Sequence, residues 1–416
     1  MNTQIPQWTT QRASGRETSL FVNIHSRWQT TSGLTPALIG LLAISILAFA
    51  PHQTTSAAEP RLNQLQMIGT HNSYHLEPPA AVSQLIELVY PAGKTELSYR
   101  HRPLTEQFER LGIRQIELDV FADPDGGLYA WPLGARLQGL TREKFDPQSI
   151  MAQPGFKVFH VQDVDYRSTV LTLKQALKAV DGWSRAHPRH VPIMVLLELK
   201  DRQIPGLTKP RAFDRSMLEL LEREILEVLP RQRLLTPDDV RGDSATLRSA
   251  VHGRGWPHLS QVSGRILLAL DNGGRLRDRY LQLHPGLKQG LLFASVESNH
   301  EAAAWMKVND PVGSFKRIQS LVRQGFLVRT RADAGTRQAR TQDTHRRQQA
   351  FASGAQYIST DYPEPDSRLS DYRVQFPKHV VARANPVSGS NWGPGDLERI
   401  RSSVKPDRKR HRDRNP

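Results

Sequence analysis

Four oxygen-bearing side chains and two histidines carry the chemistry open to this sequence. Glu117 and Asp119, two apart in IELDV (116–120), project to the same side of a strand. Carboxylates sharing one side repel unless a cation or a proton lies between them. Asn72 in GTHNSYH adds a neutral carbonyl oxygen, and Glu198 near the end of IMVLLEL adds a third carboxylate. Oxygen-only donors with several carboxylates suit a hard cation: Ca²⁺ first, at ligand distances of about 2.3–2.6 Å, and Mg²⁺ second. Any one of these acids alone reads equally well as a structural ion-pair partner. Their joint placement at the ends of successive apolar runs points to a metal.

His71 follows the apolar lead Met67–Ile68, and His160 closes KVFH (157–160). Two histidines near neutrality can act as base and acid in moving a proton between hydroxyls. His75, His101 and His187 lack that setting and are assigned to surface or loops. Lys200 lies two positions beyond Glu198, and Arg329, Arg331 and Asp333 share a parity in VRTRAD. Basic groups in such a mouth suit a phosphate. They suit equally an ion pair with the acids or with Asp361.

These residues need elements to hold them at one place. Between Leu65 and Pro365, strand patterns alternate with helical ones, as a parallel α/β fold requires. The strands are predicted at Gln66–Thr70, Ile113–Val120, Lys157–Val161, Ile193–Leu199, Arg265–Leu270, Leu291–Val296, Phe326–Arg331 and Gln356–Thr360. Several are near-continuous apolar runs, the mark of strands covered by helices. Helical periods fall at Leu104–Leu111, Thr172–Ala186, Ala212–Leu229, Val312–Arg323 and Thr341–Ala352. The fold expected is an α/β (β/α)8 TIM barrel, whose chemistry sits at the carboxyl ends of its strands. Leu76–Arg102, Asp123–Gly155 and Pro230–Ser263 read as inserts over that rim.

Leu34–Ala50 (LTPALIGLLAISILAFA) is apolar and uncharged, follows a basic lead, and precedes TTSAA. Residues 1–58 therefore read as an export signal with cleavage near Ala58, or as an uncleaved anchor. Either reading places the body, 59–370, outside the cytoplasm. Residues 371–416, ending in KPDRKRHRDRNP, read as a basic disordered tail. The chain has no cysteine, which excludes disulfides, thiolate chemistry and Cys-ligated zinc. A net charge of +15 favours anionic partners. Oligomeric state is not legible.

The segments GTHNSYH, LTEQFERLGIRQIELDVFADPDGG, KVFHVQDVDYRST, IMVLLELKD and AQYISTDYP together resemble the bacterial calcium-dependent phosphatidylinositol-specific phospholipase C family, from Leu65 to Asp366. The resemblance implies a TIM-barrel phosphodiesterase with His71 and His160 as the catalytic pair. Asn72, Glu117, Asp119 and Glu198 would be the Ca²⁺ ligands, and Lys200 and Arg331 contacts to the inositol or its phosphate. It implies a phosphoinositide or related phosphodiester lipid as partner and transient membrane-surface binding, with Trp131, Leu133 and Trp305 as docking candidates. Nucleic acid is not an expected partner. The enzymatic alternative is a glycerophosphodiester phosphodiesterase or sphingomyelinase-D-like lipase; the non-enzymatic one is a headgroup-binding barrel.

Overall fold

The computed structural model describes residues 59–377 and 380–389. The predicted export segment and the tail beyond 389 lie outside the described residues. The described residues form ten strands: β1 Leu65–Thr70, β2 Gln115–Phe121, β3 Lys157–Val158, β4 Ile193–Leu199, β5 Ile266–Leu270, β6 Leu292–Ala294, β7 Trp305–Lys307, β8 Leu327–Arg331, β9 Tyr357–Thr360 and β10 Ala382–Ala384. Eight of them run in the order β6-β5-β4-β2-β1-β9-β8-β7, all parallel. A single parallel bridge, Ser295 to Trp305, joins β6 to β7. Lys307 N adds a bond to Ser295 Oγ at 2.9 Å, so the sheet closes into a barrel.

The strands are buried on both faces, which is why they read as unbroken apolar runs. Helices cover them where the period predicted. Leu173–Ala186 starts at Thr172, whose hydroxyl accepts from Gln175 N, and it buries Leu173, Leu177 and Val180. Arg215–Val228 starts at Asp214, which accepts from Met217 N. Such caps each contribute about 1 kcal/mol. Leu104–Leu111 ends at Gly112, whose φ of 67° lets the chain turn directly into β2. Among the described residues no helix is long and apolar enough to cross a membrane.

The structure departs from expectation in four places. Lys157–Val161 is not a barrel strand: only Lys157–Val158 is extended, as an antiparallel flap on Val120 and Phe121. The missing barrel member is β7, a three-residue strand directly after the alanine run Ala302–Ala304, whose helical propensity hides it. Pro230–Ser263 lies at the opposite end of the barrel from the rim, because an insert preceding a strand falls at that strand's amino end. Leu259 N there donates to Pro60 O at 2.9 Å, just ahead of β1. Finally, 371–377 and 380–389 are not tail. β10 pairs antiparallel with the first half of β1, and Tyr372, Val374, Phe376 and Val381 are buried. Two further differences are smaller. Gly274–Leu283 is an unpredicted helix after β5, and Thr341–Ala352 divides into Arg337–Thr341 and His345–Ala352.

Candidate active site

The first strand ends in a turn that locks onto the second. At Gly69 a Cβ would lie 2.1 Å from Gln115 Oε1, so only glycine lets that amide cross to bond Thr70 O at 3.0 Å. Asn72 takes φ 43°, a left-handed conformation that asparagine tolerates. The chain therefore doubles back, and Ser73 grips Glu117 twice. Ser73 N donates to Glu117 O at 2.9 Å, and Glu117 N donates to Ser73 Oγ at 2.8 Å. His71 and Asn72 are fixed beside Glu117 by these bonds.

His71 Nδ1 lies 2.8 Å from Asp361 Oδ1, immediately after β9. Arg331, at the end of β8, bonds Asp361 Oδ2 through Nη2 at 2.9 Å. Its Nη1 donates toward His71 Nε2 at 3.2 Å. A guanidinium can only donate, so Nε2 carries the lone pair and Nδ1 the proton. Burial, and then the Arg331 charge, bring the His71 pKa down to about 3, with Asp361 pulling the other way. The ring is neutral. Burial also opposes ionisation of Asp361, but Arg331 and His71 more than offset it and hold the carboxyl below the usual range. His101, buried and brought to about 4 by that burial, donates Nε2–H to His71 O at 2.8 Å.

Glu117, Asp119 and Glu198 each offer an oxygen within 4.8 Å of the others. Glu117 Oε1 is 3.7 Å from His71 Nε2, while Oε2 is bound by Arg329, itself held by Asn309 Oδ1 at 2.6 Å and Ser359 Oγ at 3.0 Å. Lys200 Nζ lies 2.9 Å from Asp119 Oδ2 and 3.4 Å from Glu198 Oε1. Asp119 Oδ2 is thus paired with the ammonium, while Asp119 Oδ1 and Asn72 Oδ1 are buried without a hydrogen bond. Unsatisfied buried carboxylate oxygens cost folding energy unless something else fills them. Burial raises Glu117 and Asp119 to about 8, opposed by Arg329 and by Lys200 respectively. The unbonded Asp119 Oδ1 and Asn72 Oδ1 beside two further carboxylates are all hard donors and fit Ca²⁺.

His160 stands on the turn after the β3 flap. Asp163, at φ 67°, brings Asp165 back so that His160 N donates to Asp165 O at 3.2 Å. Its ring donates Nδ1–H to Asp165 Oδ2 at 2.7 Å, which leaves Nε2 for substrate. His75 binds the same carboxylate through Nε2 at 3.0 Å and Tyr99 O through Nδ1 at 3.0 Å. Tyr99 stacks on His75 with centroids 4.3 Å apart, and its hydroxyl accepts from Asn72 Nδ2 at 3.0 Å. His75, His160 and Asp165 are also close enough to share an ion. The atoms that would share it, His75 Nε2, His160 Nδ1 and Asp165 Oδ2, are already bonded to one another.

The residues expected at the site, His71, Asn72, Glu117, Asp119, His160, Glu198, Lys200 and Arg331, thus meet at one mouth. Lys200 and Arg331 are both in ion pairs there. His160 does not close a barrel strand, being carried by the flap turn. His75 and His101 are not surface residues: both are buried beneath the site, where His75 holds the Asp165 carboxylate and His101 the His71 carbonyl. Trp305 is buried in β7 and cannot dock anything. Sequence reasoning missed the roles of Tyr99 and Asp165, and the pair Asp271 and Lys307, joined at 2.5 Å at the ends of β5 and β7. The acid directly after RILLAL was the available signal for Asp271.

A family model described as phosphoinositide phospholipase C, Ca²⁺-dependent, matches residues 60–386. Among solved structures, the calcium-dependent phosphoinositol-specific phospholipase C of a Pseudomonas species is 14% identical. The match covers 78% of this chain and 95% of that one, with a TM-score of 0.45. The Ca²⁺-dependent enzyme of Streptomyces antibioticus is 15% identical over 73% and 95% of the two chains, with a TM-score of 0.43. The phosphatidylinositol-specific phospholipase C of Listeria monocytogenes is 13% identical over 76% and 93%, with a TM-score of 0.40. No curated protein matches the chain.

Proposed function

Because the chain belongs to the Ca²⁺-dependent phosphoinositide phospholipase C family, we propose a route by which its own residues cleave the lipid. The protein is a calcium-dependent phosphatidylinositol phosphodiesterase of the phospholipase C type. One observation carries the residue assignment: His71, the three clustered carboxylates and His160 occupy one barrel mouth, with Asp119 Oδ1 and Asn72 Oδ1 left without a hydrogen bond.

Asn72, Glu117, Asp119 and Glu198 would hold Ca²⁺, with Mg²⁺ the second choice. Bound there, the cation lowers the pKa of the attacking hydroxyl and offsets charge on the phosphoryl oxygens. His71 Nε2 takes the proton of the inositol 2-hydroxyl, its ring oriented through Nδ1 by Asp361. The freed oxygen bonds to phosphorus, and the bond from phosphorus to the diacylglycerol oxygen breaks. His160 Nε2 delivers a proton to that oxygen, its ring held through Nδ1 by Asp165. The first product is a cyclic inositol phosphate. Water can open it with the two histidines exchanging roles, which restores both proton states. Arg331, beside His71, adds positive charge next to the phosphate.

The substrate lies in a bilayer, and the rim offers a docking element. Helix Ala80–Val89, in the insert after β1, leaves Leu88 80%, Val89 86% and Tyr90 50% exposed. Burying such side chains contributes about 1.5–3 kcal/mol each. Trp131 is a weaker candidate, because its indole bonds Leu140 O and Arg136 and Arg142 cover its ring. The enzyme would act outside the cytoplasm after export.

Phosphorus NMR of the purified protein with phosphatidylinositol and Ca²⁺ tests the reading. A cyclic phosphate signal that vanishes on chelation is expected. Released glycerol phosphate or choline from other lipids, with no cyclic product, would favour the related lipases. Vesicle binding without turnover would favour a headgroup-binding barrel.

A further inference from the structure

The clustered carboxylates already have cations, supplied by the chain. Arg329 serves Glu117 and is fixed: its side chain is 1% exposed and is tied also to Asn309 and Ser359. Lys200 serves Asp119 and Glu198 and is not tied in that way. Its side chain is 22% exposed. It lies on the segment directly after β4, at the border of a cleft of about 350 Å³ lined by Phe121, His160, Ile204 and Asn272. At 2.9 Å from Asp119 Oδ2 and 3.4 Å from Glu198 Oε1, the ammonium places its charge at the oxygens that the proposed ligand set needs. A divalent cation and an ammonium cannot both sit on them without strong repulsion in a poorly solvated site. The four-carbon stem of lysine lets the charge move several ångströms at little cost.

We propose that Lys200 is an exchangeable internal counter-ion. Ca²⁺ binding expels its ammonium from Asp119 and Glu198 into the cleft beside His160, where it becomes available to the phosphate. This inference rests on the carboxylates being the Ca²⁺ site. Under it the metal and the free lysine are coupled: whatever holds Lys200 on the acids weakens Ca²⁺, and Ca²⁺ frees Lys200 to the same extent. Lys200 thus sets both the calcium concentration at which the enzyme responds and the timing of its contact with the substrate anion.

The test uses the whole protein stripped of metal. Ca²⁺ is titrated calorimetrically into wild type, K200M and K200Q at about pH 9, so that protons do not replace the lysine on the carboxylates. Both variants are expected to bind Ca²⁺ about tenfold tighter than wild type, as loss of one competing charge implies. Circular dichroism confirms that each is folded, and either variant alone suffices. The second readout is acetylation of Lys200 in the wild type by a water-soluble acylating reagent, read by peptide mass spectrometry. Ca²⁺ should increase its labelling several-fold while other lysines stay constant. Equal or weaker Ca²⁺ affinity in the folded variants, or labelling of Lys200 that Ca²⁺ leaves unchanged or lowers, overturns the exchange. Wild type that takes up no Ca²⁺ at all overturns the metal-site assignment itself, and the exchange with it.

Discussion

His71 donates Nδ1–H to Asp361 Oδ1 across 2.8 Å, tying the end of the first barrel strand to the end of the last. The bond fixes the tautomer whose Nε2 faces the mouth, and the Arg331–Asp361 pair keeps the carboxyl ionised. Asp361→Asn can present an amide N–H to Nδ1 and favour the wrong tautomer. Its kcat on phosphatidylinositol should fall by about 10²–10⁴-fold with KM little changed, as expected for misoriented acid–base catalysis. Steady-state kinetics on mixed micelles would measure it. A kcat near wild type would remove Asp361 from the mechanism.

His160 and His71 have different tasks, and the leaving group separates them. His160→Ala should lose about 10²–10⁴-fold in kcat on the natural lipid. With an inositol phosphodiester carrying a nitrophenol leaving group, which departs without protonation, most of that loss should disappear. His71→Ala should be impaired on both substrates alike. Equal losses for His160→Ala on the two substrates would contradict its role as acid.

The metal-free protein should show an unusual response to pH. Burial raises Glu117 from 4.5 and Asp119 from 3.8, both to about 8. Between those limits the folded state holds protons that the unfolded state has released, so stability falls as pH rises toward 8. His71 has the opposite sign at the acid end. Lowered from 6.5 to about 3, it contributes stability that is lost as pH falls through that window. Ca²⁺ must displace the carboxylate protons, so its affinity should climb up to about pH 8 with proton release below it. Thermal melts with and without chelator would show the first effect, and calorimetry in buffers of different ionisation heat the second. Metal-free melting temperatures that rise from pH 5 to 8 would count against these buried acids dominating.

The rim helix should matter for lipid and not for chemistry. Replacing both Leu88 and Val89 with Asp should weaken partitioning onto phosphatidylinositol vesicles by about tenfold or more, given the apolar area removed. Hydrolysis of a water-soluble inositol phosphodiester should remain at the wild-type rate. Unchanged vesicle binding would move the docking surface elsewhere on the rim.

The core chemistry was legible because it lies on regular elements. The alternation in IELDV put Glu117 and Asp119 on one side, and both are buried together in the barrel. The long apolar runs of β4 and β5 announced themselves in the same way. What escaped was set by contacts between segments far apart. β7 has only three residues, too few for a period, and is defined by its pairing with β8 and by one bridge to Ser295. His160 sits in a stretch with strand composition, yet only Val120 and Phe121 make its start a flap, and the Asp163 turn places the ring. His75 looked like a loop residue, because its partners Tyr99 and Asp165 are 24 and 90 positions away. β10 was hidden by a basic, proline-bearing composition that reads as tail until it meets the open edge of β1.

The account depends most on where the cation binds. Crystals grown with Ca²⁺ and measured at a long wavelength would reveal it by anomalous scattering. A single strong peak among Asn72, Glu117, Asp119 and Glu198, within about 2.3–2.6 Å of their oxygens, is the predicted result. A peak elsewhere, or none at Ca²⁺ concentrations that support turnover, would contradict the assignment of this mouth as the calcium-dependent site.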